Sequence, residues 1–126
     1  MYSVIKTSGK EIPIVGNAAT AFIFKQTFKL DLLTYLTEEH ADGEMTEVAL
    51  KLFYVMAKQA EVSSMSDLLK TEMNDMTFME FISGFELSET GMLAIEAFKA
   101  WNGQAETTAT EESKEGSKKK TVKAAK

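Results

Sequence analysis

The sequence predicts a mainly α-helical domain that begins with a short β-hairpin and ends in a disordered tail. Apolar residues recur every three or four positions through most of residues 17–103, which is the spacing of amphipathic helices. Two short runs rich in Val and Ile precede them, on either side of Gly9. In residues 104–126, Val122 is the single large apolar residue, so this stretch cannot bury enough surface to offset the entropy of folding.

Length and composition are those of one globular domain. The chain has 126 residues, of which 44% are hydrophobic and 26% are charged, and we expect residues 1–103 to form the domain. The absence of cysteine excludes disulfides and thiolate metal sites. The N-terminus lacks the pattern of a signal peptide, and no window of about 18 residues is apolar enough to span a membrane. We therefore expect a cytoplasmic protein that makes no contact with a membrane.

The first two runs are predicted to pair as a β-hairpin. Residues 2–6 and 11–15 are the strands, and residues 7–10 join them. Pro13 lacks a backbone donor, so the second strand should be short or lie at an edge. Because a lone hairpin is marginally stable in water, we expect it to pack on the helices or to pair with another chain, and its edge is one route to self-association.

Residues 17–36 hold two predicted helical segments and are expected to organise the core. Asn17 is a suitable N-cap for a helix from Ala18 onward, and Asp31 is a suitable cap for the segment after it. Aromatic residues at helical spacing are typical of a core, so we expect Phe22→Asp to unfold the domain. Over the whole chain, the predicted core residues are Phe22, Phe24, Phe28, Leu32, Leu36, Leu52, Met56 and Phe98.

Four more helices are predicted downstream of a polar loop. The loop covers residues 37–44 and contains an Asp-Gly pair. The helices cover approximately residues 45–60, 66–73, 74–84 and 88–101. Asn102 and Gly103 then supply a C-cap signal for the last helix, before the predicted tail.

The charge distribution argues against nucleic-acid binding and the residue types argue against catalysis. Residues 1–103 carry 8 lysines and 15 acidic residues, a net charge of −7, whereas residues 104–126 carry 6 lysines and 4 glutamates, a net charge of +2. An acidic body repels phosphate backbones. His40, the one histidine, lies in an acidic stretch without the ligand spacing of an EF-hand, which predicts a solvated loop rather than a metal site. We expect no catalytic residue and no cofactor, and a protein that is not an enzyme.

Methionine usage is the compositional feature that points to binding. Apart from Met1 the chain has seven methionines among its 126 residues, and most of them lie in its second half. Methionine commonly fills gaps in an ordinary core, and this is one interpretation; the alternative is an adaptable groove that accepts apolar segments of a partner. The candidate partner-binding residues are Met65, Met73, Met76, Met79, Phe85 and Met92.

One stretch resembles a known family. Residues 10–36 resemble the N-terminal region of tail assembly chaperones from long-tailed, siphovirus-type phages and prophages of Gram-positive bacteria. The shared features are a short hairpin, an Asn-Ala-Ala-Thr start to an aromatic helix, and a step formed by Phe28, Asp31, Leu32 and Leu33. Beyond this stretch the likeness is one of general plan, a helical body followed by a polar tail.

The resemblance implies a non-enzymatic role in virion assembly. Such a protein binds the tape measure protein, keeps it soluble and promotes assembly of the tail tube protein in the host bacterial cytoplasm, without remaining in the mature virion. Families of this kind often make a second, longer product by ribosomal frameshifting, and the codons of Lys118, Lys119 and Lys120 are a candidate slippery run. The alternative is a small phage-encoded adaptor or inhibitor of a host protein that uses its acidic body as a surface mimic.

Overall fold

The computed structural model describes the backbone of residues 2–7, 9–62 and 64–113, with side chains described as far as residue 103. It confirms a mainly helical fold with an N-terminal, two-stranded antiparallel hairpin. The elements are β1 (Tyr2–Thr7), β2 (Lys10–Val15), α1 (Thr20–Phe28), α2 (Leu32–Tyr35), α3 (Asp42–Glu61), α4 (Met65–Lys70), α5 (Asp75–Ile82), a 3-10 turn (Leu87–Glu89) and α6 (Thr90–Ser113).

The hairpin packs on the helices through one face. Thr7 lies opposite Lys10 in the register, and Gly9 between them has a φ of 81°, a conformation that favours glycine. Ile5 and Ile14 are buried on the inner face, where β2 contacts α3 and β1 contacts α6. The hairpin therefore gains its stability from the helical body beneath it.

The helix α3 is the centre of the fold. It contacts β2, α1, α4, α5 and α6, and from Val48 to Ala57 every residue except Lys51 is buried. A helix that is apolar on nearly all sides is stable only when it is enclosed by other elements. It begins at Asp42, within the stretch predicted to be a loop, where Asp42 and Glu44 favour the positive end of the helix dipole. The stretch at residues 17–36 packs on this helix rather than organising the core itself.

A buried polar network fixes the start of α1. The helix begins at Thr20, later than the predicted start at Ala18, and the Asn17 side chain caps the preceding turn by accepting from the Ala19 N–H at 2.9 Å. The Thr20 hydroxyl donates to Oε1 of Gln59 on α3 at 2.7 Å, and Nε2 of Gln59 donates to Oδ1 of Asn17 at 3.3 Å. Because each group in this network has a partner, it ties α1 to α3 without leaving a buried polar atom unsatisfied.

Phe22 is not a core residue, in contrast to the prediction. Its side chain is 71% exposed, whereas Ile23 and Phe24 are buried. Two residues separated by two positions lie about 200° apart around a helix, so Phe22 and Phe24 cannot both face the same core. Because Thr20 is held against α3, the buried side of α1 carries Thr20, Ile23 and Phe24. Phe22 lies on the exposed side, so we no longer expect Phe22→Asp to unfold the domain.

The other predicted core residues lie inside or against the core. Phe24, Leu32, Leu52 and Met56 are fully buried. Partly buried and packed against them are Phe28, Leu36 and Phe98.

Aromatic rings join α1, α3 and α5. The ring of Phe28 lies 5.8 Å from that of Phe78 on α5, and the ring of Tyr54 on α3 lies 5.3 Å from that of Phe81 on α5. Edge-to-face and tilted contacts of this kind add to the stabilisation from burial. One aromatic layer therefore connects the first helix with the second half of the chain.

The last three helices begin at side-chain caps or a tight turn. Ser64 caps α4 by accepting from the Asp67 N–H at 3.1 Å, and Asn74 forms a reciprocal capping box with Thr77 at the start of α5. The helix α6 follows the 3-10 turn directly and continues to Ser113, so it does not end at the predicted Asn102 and Gly103 signal. The remainder of the predicted tail, residues 114–126, lies outside the described residues.

Candidate protein-binding surfaces

The structure exposes several large apolar side chains. Contiguous exposed apolar surface commonly marks a site of protein interaction. The residues concerned are Tyr2, Val4, Phe22, Leu33, Met65, Leu69, Met76, Met79, Leu87, Met92 and Ile95. Two of them, Leu69 and Ile95, line grooves between helices.

The larger groove, which we call the α3/α6 groove, lies between the first turns of these two helices. It is open to solvent and has a volume of about 450 Å³. Each helix contributes four residues at the spacing of a single helical face. They are Asp42, Met45, Thr46 and Ala49 from α3, and Gly91, Ala94, Ile95 and Phe98 from α6.

Small residues form the floor of the α3/α6 groove. Ala49 and Ala94 are buried, and no atom lies within 4 Å of the position that a Cβ on Gly91 would occupy. Ile95 forms an apolar wall and is 59% exposed, while Asp42 is the one charged residue of the lining. An apolar trough of this shape suits the apolar face of an amphipathic helix.

The smaller groove, which we call the α1/α4 groove, has a volume of about 140 Å³. Pockets for small molecules usually have volumes of about 300 to 1,000 Å³, so this groove is too small to enclose a metabolite. Its lining combines apolar side chains with the polar edge of α1. The residues are Ile23, Gln26, Thr27, Leu68, Leu69, Thr71 and Met73.

The rim of the α1/α4 groove is cationic. Phe22, Lys25 and Gln26 follow the 3 and 4 spacing of one face of α1, and Lys29 is the C-cap residue after it; all four are exposed. Nζ of Lys29 donates to the carbonyl oxygen of Gln26, a lining residue, at 2.9 Å. Lys70, the last residue of α4, lies between the lining residues Leu69 and Thr71. None of the three lysines has an ion-pair partner in the part of the chain that the structure describes, whereas Lys51, Lys58 and Lys99 each have one.

The structure does not gather the predicted partner-binding methionines into one surface. Met76 and Met79 are 68% and 59% exposed on α5, but neither lines a groove described above, and the same holds for Met65 on α4. Met73 lines the α1/α4 groove. Met92 is 38% exposed and lies three residues before Ile95, on the α6 face that borders the α3/α6 groove.

Phe85 belongs to the aromatic core rather than to a binding surface. Its ring lies 5.7 Å from that of Phe53 and 5.3 Å from that of Phe81. Nζ of Lys10 lies 4.6 Å from the centroid of the Phe85 ring and donates to the carbonyl oxygen of Gly84 at 2.7 Å. The chain therefore folds Phe85 under the hairpin, which leaves it unsuited to hold a partner.

Sequence reasoning missed the residues that build the α3/α6 groove. The prediction of a binding face rested on the positions of the methionines. The groove instead depends on Gly91 and Ala94 for its depth and on Ile95 for its wall. The pattern of small residues followed by Phe98 on one helical face is the signal that could have located it.

His40 has a structural role in the segment before α3. Its ring stacks on that of Tyr35, with centroids 3.6 Å apart, and its Nε2–H donates to the Tyr35 carbonyl oxygen at 2.9 Å. Burial, followed by the negative charge of Glu44, raises the pKa of the Tyr35 hydroxyl above its ordinary value of 10.0. His40 is thus packed against the body, in contrast to the predicted solvated loop. Within the described ranges no group of three or more His, Cys, Asp or Glu side chains is arranged to hold a metal ion.

No helix in the described part of the chain is both long enough and apolar enough to cross a membrane. Comparison of the chain with profiles of known protein families, with curated protein sequences and with solved structures finds no match.

Proposed function

We propose that this protein is a non-enzymatic chaperone that holds the apolar face of a long helical client in the α3/α6 groove. The client that the resemblance at residues 10–36 indicates is the tape measure protein of a long-tailed phage. The observation that carries the proposal is the open apolar trough beside Ile95, which is 59% exposed.

The shape of the groove is compatible with a helical client. An amphipathic helix presents its apolar side chains at intervals of three and four residues, and two parallel rows at the same intervals line the groove. Ala49 and Ala94 have small side chains and Gly91 has none, so the backbone of the client can approach closely. The α3/α6 groove has a volume of about 450 Å³, which gives room for several apolar side chains, whereas the α1/α4 groove has a volume of about 140 Å³.

Many weak contacts would make such a chaperone effective on a long client. One groove covers a short part of a helix, so the affinity of each copy is modest, and a long helical protein offers many sites in series. Copies bound along the client cover its apolar face, and the net charge of −5 on each copy opposes aggregation of the complex. A soluble, extended client is then available as the template on which tail tube protein assembles.

Co-expression with the tape measure protein proposed as the client tests this function. We expect the wild-type chain to move that protein into the soluble fraction and Ile95→Asp to lose this effect, because a carboxylate would be desolvated in the apolar trough. Met76→Asp is the matched control: Met76 is 68% exposed and lies outside the groove, so this variant should keep the effect.

Circular dichroism of both variants establishes that they fold. An insoluble client in the presence of wild-type chain would overturn the proposed function. If Met76→Asp failed to keep the client soluble while Ile95→Asp succeeded, the client would bind at α5 and not in the α3/α6 groove.

A further inference from the structure

The α1/α4 groove has the size of a socket for one apolar side chain. An engineered cavity of about 150 Å³ with apolar walls holds a benzene ring, and this groove has a volume of about 140 Å³. Ile23, Leu68 and Met73 supply apolar lining, and Leu69 at the edge is 60% exposed. A single protruding leucine would fill this space.

The charge around the socket indicates an acidic occupant. Lys25 on α1, Lys29 at the C-cap of α1 and Lys70 at the end of α4 lie close in sequence to the lining residues and have no ion pair among the described residues. Two acidic residues lie on or directly beside these segments, Asp67 on α4 and Glu72 between the lining residues Thr71 and Met73, so the lysines outnumber them by three to two. This cationic rim belongs to a chain whose residues 1–103 carry a net charge of −7, so it stands out against the rest of the body.

The chain itself carries an acidic segment with one protruding leucine. Leu87 is 87% exposed, more than any other large apolar residue of the described chain. Glu86 and Glu89 flank it in the 3-10 turn, and the Glu86 N–H donates to Oε1 of Glu89 at 3.2 Å while the Glu89 N–H donates to the Glu86 carbonyl oxygen at 2.9 Å. These bonds hold the backbone of the turn in one conformation, so the turn loses little backbone freedom when the Leu87 knob binds.

We propose that the chain self-associates head to tail, with Leu87 of one copy inserted into the α1/α4 groove of the next. Glu86 and Glu89 then lie beside the lysines of the rim. Because the knob and the socket are different surfaces, the contact is heterologous, and each copy retains one free knob or socket from which a chain or ring can grow. This interface is distinct from pairing through the hairpin edge, and it does not depend on the proposed client.

The proposed contact is small and therefore weak. Insertion of the leucine supplies the attraction, while exposed ion pairs add orientation more than affinity and are screened by salt. Assembly should accordingly appear as the concentration of the protein rises, and its products should be short at low concentration.

Sedimentation velocity of the full chain over a concentration series tests the proposal. We expect Leu87→Ser, which removes the knob, and Leu69→Asp, which blocks the socket, each to weaken association about tenfold or more, since burial of one leucine is worth at least one power of ten in affinity. Both side chains are largely exposed, so the variants should keep the circular dichroism of the wild type. The control Met76→Ser removes a side chain on α5 that is 68% exposed, between the values of Leu69 and Leu87, and should associate as the wild type does.

Mixing the two deficient variants is the decisive step. Leu87→Ser protein retains a socket and Leu69→Asp protein retains a knob, so the mixture should form one-to-one dimers and nothing larger. A wild-type chain that stays monomeric at all concentrations, Leu87→Ser protein that assembles as the wild type does, or a mixture that remains monomeric would each overturn the proposal.

Discussion

The two grooves differ in how firmly the fold holds their walls. The α3/α6 groove lies between helices of 20 and 24 residues, whereas the α1/α4 groove lies between helices of 9 and 6 residues. Helices shorter than about 12 residues are marginal on their own, so the position of α1 depends on tertiary contacts. The small groove should therefore respond to changes in the core that leave the large groove intact.

The grooves also differ in charge. Asp42 is the charged residue in the lining of the α3/α6 groove, whereas the lining of the α1/α4 groove is uncharged and the chain positions near it hold three lysines and two acidic residues, Asp67 and Glu72. An acidic chain with one cationic apolar socket can bind its own acidic surface without using the trough assigned to the client. On this account, client binding and self-association are separable by mutation.

The largest expected effect comes from the buried side of α1. Phe24→Ala should cost about 3 to 5 kcal/mol of the free energy of unfolding, because it leaves a cavity where a fully buried ring lies. Phe22→Ala is the matched change two residues away and should cost less than about 0.5 kcal/mol, because that ring is 71% exposed. Urea denaturation measures the free energy of unfolding of both variants. Equal decreases for the two would contradict the exposed position of Phe22.

A smaller effect is expected from the network that anchors α1. Thr20→Val keeps the shape of the side chain but leaves Gln59 without the hydroxyl that donates to it, at a cost of about 1 to 3 kcal/mol. Amide hydrogen exchange should become faster in α1 and remain slow in α3. Uniformly faster exchange in both helices would contradict a local anchoring role, and Thr34→Val, at an exposed position on α2, is the control.

The smallest effect concerns Tyr35, which supports the segment leading into α3. Its buried hydroxyl lies beside the Glu44 carboxylate but forms no hydrogen bond of good geometry among the described residues, so Tyr35→Phe should change stability at neutral pH by less than about 1 kcal/mol. Because the folded pKa is raised above 10.0, the unfolded chain releases this proton first, and the wild type should lose stability as the pH rises above 10.0.

The Phe variant lacks this contribution to the pH dependence. Urea unfolding of both proteins at about pH 7 and about pH 11 measures the difference between them. The wild type should lose more stability than the variant between these two values. Identical losses would show that Tyr35 ionises equally in the folded and unfolded states.

Local patterns predicted much of the fold. The apolar run in residues 45–60 is rich enough to require burial on nearly all sides, and it became α3. Gly9 between two β-branched runs predicted the hairpin, and Asp31 predicted a cap that the structure contains, where its carboxylate accepts from the Thr34 N–H at 3.3 Å.

Contacts between distant residues decided what local patterns left open. Spacing alone allowed either Phe22 or Phe24 to face the core, and the hydrogen bond between Thr20 and Gln59, 39 positions apart, selects Phe24. Phe85 resembled an accessible aromatic, but Lys10, far away in sequence, covers it.

The binding surfaces were harder to predict than the fold for the same reason. Each wall of the α3/α6 groove is an ordinary amphipathic face, and the groove exists only because residues 42–49 and 91–98 lie beside each other. Methionine content predicted an adaptable surface but not its position. The exposure of Leu87 depends on the turn between α5 and α6, which no periodic pattern describes.

The most direct test of the client site compares two glycine substitutions on α6. Beyond the backbone of its own helix, no neighbouring atom lies within 4 Å of a Cβ placed on Gly91 or on Gly103, so a side chain can start from either position without a clash at its Cβ. Replacing a helical glycine by Leu should raise stability by up to about 1 kcal/mol. Leu at position 91 would occupy the α3/α6 groove, whereas Leu at position 103 lies outside its lining.

The quantity to measure is the amount of tape measure protein that co-purifies with each variant, alongside the thermal unfolding of the variant alone. We predict that both variants are at least as stable as the wild type and that Gly91→Leu alone loses the client. Retention of the client by a stable Gly91→Leu protein, at the level of Gly103→Leu, would contradict the assignment of the α3/α6 groove as the client site.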